Sequence, residues 1–78
     1  MPMKGQIELR KEIADRLKKA RQVAGYKTAE EFCKKHALGL KRYVKHEEGE
    51  SAIRASDAYI YSRCLDVSLF WLMLGDDK

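Results

Sequence analysis

Three cationic side chains, Lys41, Arg42 and Lys45, lie close together in the sequence LKRYVKHE. On one helix, such side chains can donate hydrogen bonds to the O6 and N7 atoms of guanine in the DNA major groove and can neutralise phosphates. A charged run is more often the solvated face of a helix. The elements that hold the three residues therefore decide which interpretation applies.

The segment before this run predicts a helix that begins at Ala29. Thr28 is a suitable N-cap, and Glu31, three residues later, completes a capping box in which each side chain satisfies a free backbone N–H of the other. Phe32, Cys33 and His36 follow at helical spacing and make a mostly apolar face. This face indicates a helix that packs against a core.

A second helix is predicted from Leu40 to about Glu48, after a turn at residues 37–39. Gly39 is a permissive N-cap, and Gly49 can end the helix in the left-handed conformation that glycine adopts cheaply. Helical periodicity places Tyr43 and Glu47 inward and Lys41, Val44 and Lys45 outward. Two short helices joined in this way can place the second one in the major groove of DNA.

Three further helices complete an all-α, five-helix pattern without a strand signal. The first is predicted from Ile7 to a stop at Gly25, the fourth after a Ser56 cap, and the fifth from Leu69 to Leu74 after a Ser68 cap. The first helix carries the apolar stripe Leu9, Ile13, Leu17 and Ala20, and the fourth carries the inward face Ala58, Tyr61, Ser62 and Leu65. We expect a flexible tail at residues 1–6, one domain at 7–75 and a short tail at 76–78.

Length and charge favour a small protein with a polyanionic partner. The chain has 78 residues, and 16 Lys and Arg against 12 Asp and Glu give a formal net charge of +4. The cations concentrate in residues 10–21 and 34–45, which predicts one basic face. Two cysteines on apolar stripes favour a reducing compartment, and no signal peptide or membrane span is evident. We expect a cytoplasmic, nucleoid-associated protein.

Cys33, His36, His46 and Cys64 raise the question of a zinc site or a cysteine nucleophile. The spacing of Cys33 and His36 suits a metal, but no second pair of ligands completes a tetrahedral set. Cys33 also lies at a packing position without a visible pocket, and His46 is better explained as a buried side chain that donates one hydrogen bond. We expect no metal, no cofactor, no small-molecule ligand and no enzymatic activity.

Four motifs together resemble the lambda-repressor-like helix-turn-helix family, also called the Cro or XRE type. They are Arg21-x-x-x-Gly25-Tyr26, Thr28-x-x-Glu31-Phe32-Cys33, Tyr43-x-x-His46-Glu47-x-Gly49 and Leu65-Asp66-Val67-Ser68-x-x-Trp71-Leu72-x-x-Gly75. The resemblance covers roughly residues 9–75. It implies a prokaryotic or phage transcriptional regulator that inserts its third helix into the major groove as a dimer on a roughly palindromic operator.

The resemblance also implies roles for individual residues. Arg21 and Glu47 correspond to an arginine and a glutamate that pair across the first and third helices. The positions implied to contact the groove, to which the side-chain chemistry adds Arg42, are Ala29, Leu40, Lys41, Arg42, Val44 and Lys45. The positions expected to contact phosphates, from the resemblance and from charge, are Lys18, Lys27, Thr28, Glu48, Ser51 and Arg54.

The chain departs from well-known phage members at two of these positions. Those members carry glutamine where this chain has Ala29 and Leu40, and a glutamine amide can read adenine with two hydrogen bonds. Lys41 and Arg42 can still donate to guanine, whereas Leu40, Val44 or Ala29 can contact a thymine methyl group. Base preference is therefore not predicted.

The fifth helix places large apolar residues at positions that are usually polar in this family. Phe70 and Leu74 share one face, which Leu69 and Ile60 extend. An apolar patch on so small a protein suggests an interface, so we expect a homodimer through this helix, although the C-terminal tail could instead cover the patch. The alternative function is a protein-interaction module, of the antitoxin or antirepressor type, that uses the same surface.

Overall fold

The computed structural model describes the backbone of residues 4–75 and the side chains of residues 9–75. Its five helices are α1 (Lys4–Val23), α2 (Ala29–His36), α3 (Leu40–Glu47), α4 (Ala55–Leu65) and α5 (Leu69–Leu74). Within residues 4–75 there is no strand, and the all-α prediction is confirmed. In the same range no helix has the length and apolar character that a membrane crossing requires.

The first helix begins earlier than its pattern predicted. The expected start was Ile7, but α1 begins at Lys4, so part of the predicted tail at 1–6 is helical. The rest of that tail and the predicted tail at 76–78 lie outside the described residues. Leu9, assigned to the buried stripe, is 44% exposed because the packed helices cover α1 only from Ile13 onward.

Local capping explains where α2 and α5 begin. The hydroxyl of Thr28 accepts a hydrogen bond from the Glu31 N–H at 3.1 Å, and the hydroxyl of Ser68 accepts one from the Trp71 N–H at 3.3 Å. The Glu31 carboxylate accepts the N–H of Lys27 at 3.2 Å, one residue before the position that a capping box requires.

The predicted cap of α4 is wrong. Ser56 already lies in the first turn of this helix, which begins at Ala55 with Arg54 as its N-cap. Arg54 takes an extended conformation and provides no side-chain hydrogen bond to the helix. An N-cap needs a non-helical backbone, and Ser56 is inside the helix, so the preference for a serine cap is not realised here.

The helices meet around one core in which the packing of α2 against α3 is aromatic. Leu17, Phe32, Tyr43 and Leu72, from four different helices, are fully buried. The rings of Phe32 and Tyr43 lie 5.1 Å apart between their centroids. The inward face predicted for α4 is buried as a whole, and it contains Ala58, Tyr61, Ser62 and Leu65.

The connection between α2 and α3 is the predicted turn at residues 37–39. Ala37 adopts the left-handed conformation with φ 54°, and Leu38 donates its N–H to the Cys33 carbonyl at 2.8 Å. Gly39 is the N-cap of α3 and has an extended backbone. Gly49, with φ +74°, follows the end of α3 in the left-handed conformation that favours glycine. The turn and Gly49 thus mark the two ends of α3.

Candidate nucleic-acid interface

A buried ion pair attaches α3 to α1. The guanidinium of Arg21 donates from Nε and Nη2 to the two carboxylate oxygens of Glu47, each at 2.9 Å. Nη1 of Arg21 also donates to the Tyr26 carbonyl at 2.8 Å. The hydrogen bond to Glu47 raises the pKa of Arg21 despite the opposing effect of burial. Because the side chains are only 5% and 10% exposed, the pair holds α3 with little screening by solvent.

A second polar contact holds the inner side of α3 against α4. Nδ1 of the buried His46 lies 2.8 Å from the hydroxyl of Tyr61. The two rings also pack edge to face, with centroids 5.7 Å apart. The third helix is therefore fixed at its inner face by α1 on one side and by α4 on the other.

Burial of His46 predicts that stability falls in mild acid. Burial, helped by the positive charge of Arg42 and opposed by Asp57, lowers the pKa of His46 below its usual value. Because the unfolded chain then binds the proton more readily, this contribution to stability is full above about pH 6.5 and is lost as the pH falls further. Denaturation in urea should thus give a lower unfolding free energy at about pH 5.5 than at about pH 7.5.

The matched control for this pH dependence is His46→Gln, which keeps a hydrogen-bonding group but does not titrate. We expect a flatter stability profile for the variant between the two pH values. Asp57 does not confuse the result, since its pKa is lowered and its contribution is lost only in stronger acid. An equal loss in the variant and the original chain would show that another group titrates in this range.

The outer face of α3 carries the cations. Lys41 and Lys45 are exposed on this face, Leu40 is 39% exposed and Val44 is half-buried. Ala29, expected to contact the same groove, is half-buried and packs against the core cluster. The exposed surface of α3 is thus mainly cationic, with an apolar edge at Leu40.

Arg42 differs from the two lysines because an acidic side chain holds it. Its Nη2 donates to both carboxylate oxygens of Asp57, at 3.1 and 2.8 Å. Partial burial opposes ionisation of Asp57, but the bonds from Arg42 prevail and the pKa of Asp57 is lowered. The contact joins α3 to the first turn of α4. Sequence reasoning missed it, because Asp57 looked like an ordinary acidic residue near a helix start.

The residues predicted to contact phosphates are mostly exposed. Lys18, Lys27, Thr28 and Arg54 are exposed, and Ser51 is half-buried. Glu48 is also exposed and is less suited to a phosphate. A hydrogen bond with Glu50 raises the pKa of Glu48, and the charge of Lys18 partly offsets this effect. The partial offset therefore comes from α1.

The apolar surface at α5 has the residues that the sequence assigned to it. Phe70 is 59% exposed, Leu74 63%, Leu69 37% and Ile60 44%. Tyr59, not identified from the sequence, is also exposed on α4, at 54%. Beside this surface, Trp71 and Val67 line a groove of about 410 Å³ that reaches Val23 on α1.

An arginine that the sequence analysis missed fixes α5. Arg16 donates from Nε to the Leu72 carbonyl at 2.9 Å and from Nη2 to the Met73 carbonyl at 3.1 Å. These carbonyls lie in the last turn of α5, where no helical N–H is available to them. Nothing in the local sequence around Arg16 distinguishes it from the other cations of α1.

Metal-binding geometry is not seen among the described residues, where no group of three or more His, Cys, Asp and Glu side chains could hold an ion. Cys33 is buried and Cys64 is half-buried, and burial raises the pKa of both thiols. Both cysteines are thus disfavoured as thiolates.

No family model, curated protein or solved structure matches this chain. Its function is therefore inferred from the geometry of α3 and of the residues around it.

Proposed function

We propose that the chain is a sequence-specific DNA-binding regulator of transcription, of the prokaryotic or phage repressor type, with a lambda-repressor-like arrangement of its five helices. Its third helix enters the major groove of duplex DNA. The main support for the proposal is that α3 has two different faces. Lys41 and Lys45 are exposed to solvent on one face, while the ion pair of Arg21 with Glu47 fixes the opposite face. A rigid cationic helix of this kind suits a negatively charged groove.

The proposed regulator acts as a homodimer through the apolar surface of Ile60, Leu69, Phe70 and Leu74. Two copies then present two α3 helices to half-sites about one helical turn, roughly 34 Å, apart, so the operator is roughly palindromic. Sedimentation equilibrium tests this. A dimer that Phe70→Ser disrupts supports it, and a strict monomer both in free solution at high micromolar concentration and on DNA contradicts it.

The first test of DNA binding is a titration against the DNA that flanks the protein's own gene. Random duplex DNA of equal length, at matched salt, is the control. We expect tighter binding to the flanking DNA, and we expect affinity to fall steeply with salt because phosphate neutralisation releases counterions. Absence of affinity for any duplex, even at low salt, would refute the proposal.

Lys41 and Arg54 should have different effects on binding. Lys41→Ala removes a donor on the outer face of α3, so it should cost about 1–3 kcal/mol on the specific site and less on random DNA. Arg54→Ala, at the N-cap of α4, should weaken both types of DNA alike, as expected for a phosphate contact. Equal losses for Lys41→Ala on the two types of DNA would contradict its role in reading bases.

The exposed apolar surface also favours a second candidate, an interaction module that binds another protein. The groove lined by Val67 and Trp71, and separately the exposed side chains of Phe70 and Leu74, are apolar features suited to an apolar partner. The DNA titration separates the two functions. An interaction module predicts equal, weak binding to flanking and random DNA, whereas a regulator predicts a clear preference.

A further inference from the structure

Asp57 occupies the atom of Arg42 that arginine needs in order to read guanine. Arginine reads guanine by donating two parallel N–H groups to O6 and N7. A guanidinium offers such a pair on two edges, Nη1 with Nη2 and Nε with Nη2, and both edges include Nη2. Nη2 has one N–H group on each edge, and both oxygens of Asp57 lie within hydrogen-bond distance of this atom, so a base must compete with Asp57 for Nη2. Arg42 keeps its charge, while Asp57 disfavours the two-pronged contact.

The remaining donors of Arg42 suit a single acceptor. Among the described residues, neither Nε nor Nη1 has a protein partner, and the side chain is 60% exposed. A phosphate oxygen needs only one N–H and a positive charge nearby. The geometry therefore leaves Nε and Nη1 available for a contact with the DNA backbone, whereas bidentate recognition of a base has to compete with Asp57 for Nη2.

Asp57 is held in place from the core side. Its carboxylate is 13% exposed, and Oδ2 lies 4.0 Å from Nε2 of His46, whose ring is fixed by the 2.8 Å contact with Tyr61. A hydrogen bond from the backbone of Arg54 also lowers the pKa of this carboxyl group. A carboxylate held in this way offers Arg42 an acceptor at a defined position on α4.

We propose that Asp57 determines specificity by positioning Arg42, so that Arg42 contacts a phosphate and does not select guanine. The inference rests on the proposed function, because it concerns how α3 meets DNA. It corrects the sequence-based expectation that Arg42 donates to guanine O6 and N7. Asp57 itself touches no DNA and acts only through the arginine.

The test is selection of binding sites from a randomised duplex library. The original chain, Asp57→Ala and Asp57→Asn are compared, and circular dichroism first checks that each variant is folded. Asp57→Asn has nearly the shape of the original side chain, so it carries the test if Asp57→Ala does not fold. The matched control is Asp57→Ala combined with Arg42→Lys, because lysine keeps the charge but cannot present two parallel N–H groups.

We expect the original chain to select a site without a guanine that depends on Arg42. Asp57→Ala should enrich guanine at one additional position in each half-site, with a preference of about tenfold over other bases. Asp57→Asn should do so more weakly, and Arg42→Lys should abolish the gain. Affinity for random DNA should rise in both single variants, since each removes an acidic charge near the phosphates.

Two results would overturn the inference while leaving DNA binding intact. One is an unchanged site in both Asp57 variants. The other is a guanine in the site of the original chain that the double variant Asp57→Ala with Arg42→Lys no longer selects, which would show that Arg42 leaves Asp57 on binding. If neither the original chain nor any variant enriches a sequence, and none of them binds random duplex DNA, the proposed function and the inference are both refuted.

Discussion

Replacing Arg21 by alanine is expected to lower the unfolding free energy by about 3 kcal/mol or more. The substitution leaves the Glu47 carboxylate, only 10% exposed, without the two hydrogen bonds that neutralise it. It also removes the donor to the Tyr26 carbonyl. A domain of this size has a total stability of about 5–15 kcal/mol, so the loss is a large fraction of it. Denaturation in urea at neutral pH measures the change.

Arg42→Ala is the matched control for this prediction. It removes the same type of side chain from another arginine–carboxylate pair, but Arg42 is 60% exposed. The control also leaves a mostly covered carboxylate, since Asp57 is 13% exposed, but it removes a solvent-exposed guanidinium and no bond to a backbone carbonyl. It should therefore cost clearly less than Arg21→Ala. A loss under about 1 kcal/mol for Arg21→Ala would show that solvent screens its pair as well.

A double substitution identifies the source of the cost. Arg21→Met combined with Glu47→Leu removes both charges and fills similar volume with apolar atoms. If the unpaired Glu47 carboxylate causes the loss of unfolding free energy, the double variant should be more stable than Arg21→Ala. The reason is that removing one partner of a buried ion pair costs more than replacing both partners by apolar residues. Equal losses in the two variants would assign the cost to lost packing or to the Tyr26 contact.

The starts and stops of the helices could be predicted where local chemistry decides them. Thr28 and Ser68 accept N–H groups from the first turns of their helices, and Gly49 takes the left-handed conformation after α3. These signals act within a few residues. Ser56 has the same chemistry, yet it does not cap α4, because the path of the chain before this helix places Arg54 at the N-cap instead.

Periodicity also predicted which side of α3 is buried. Tyr43 and His46 lie on one helical face and are buried, whereas Lys41 and Lys45 lie on the other and are exposed. Helical periodicity does not predict contacts between residues that are far apart in the sequence. Arg42 and Asp57 are separated by 15 positions, and no local signal links them. Resemblance to a family provided the expectation for Arg21 and Glu47, which spacing alone does not supply.

The same contacts link stability to the proposed binding. If Arg21→Ala loosens α3 from α1, the two lysines lose their fixed position, and ordering them on DNA costs additional entropy. We therefore expect the variant to lose affinity for specific DNA even under conditions where it is folded.

Reversing the charges of Lys41 and Lys45 together should have the largest effect on DNA binding. The double substitution Lys41→Glu with Lys45→Glu replaces two exposed cations of α3 by carboxylates that the phosphates and acceptor atoms of the groove repel. Two lost contacts at about 1–3 kcal/mol each predict that affinity falls by about 30-fold or more. Fluorescence anisotropy with labelled duplex at fixed salt measures it.

The control for this prediction is Lys34→Glu with Lys35→Glu, at the end of α2. Both lysines are exposed, and either double substitution lowers the formal net charge from +4 to zero. If only overall charge matters, the two variants lose affinity equally. If α3 enters the groove, the variant on α3 loses more, because Lys41 and Lys45 are proposed to contact the groove, whereas Lys34 and Lys35 contribute only nearby charge. The difference between the variants thus separates a positioned helix from a merely basic protein.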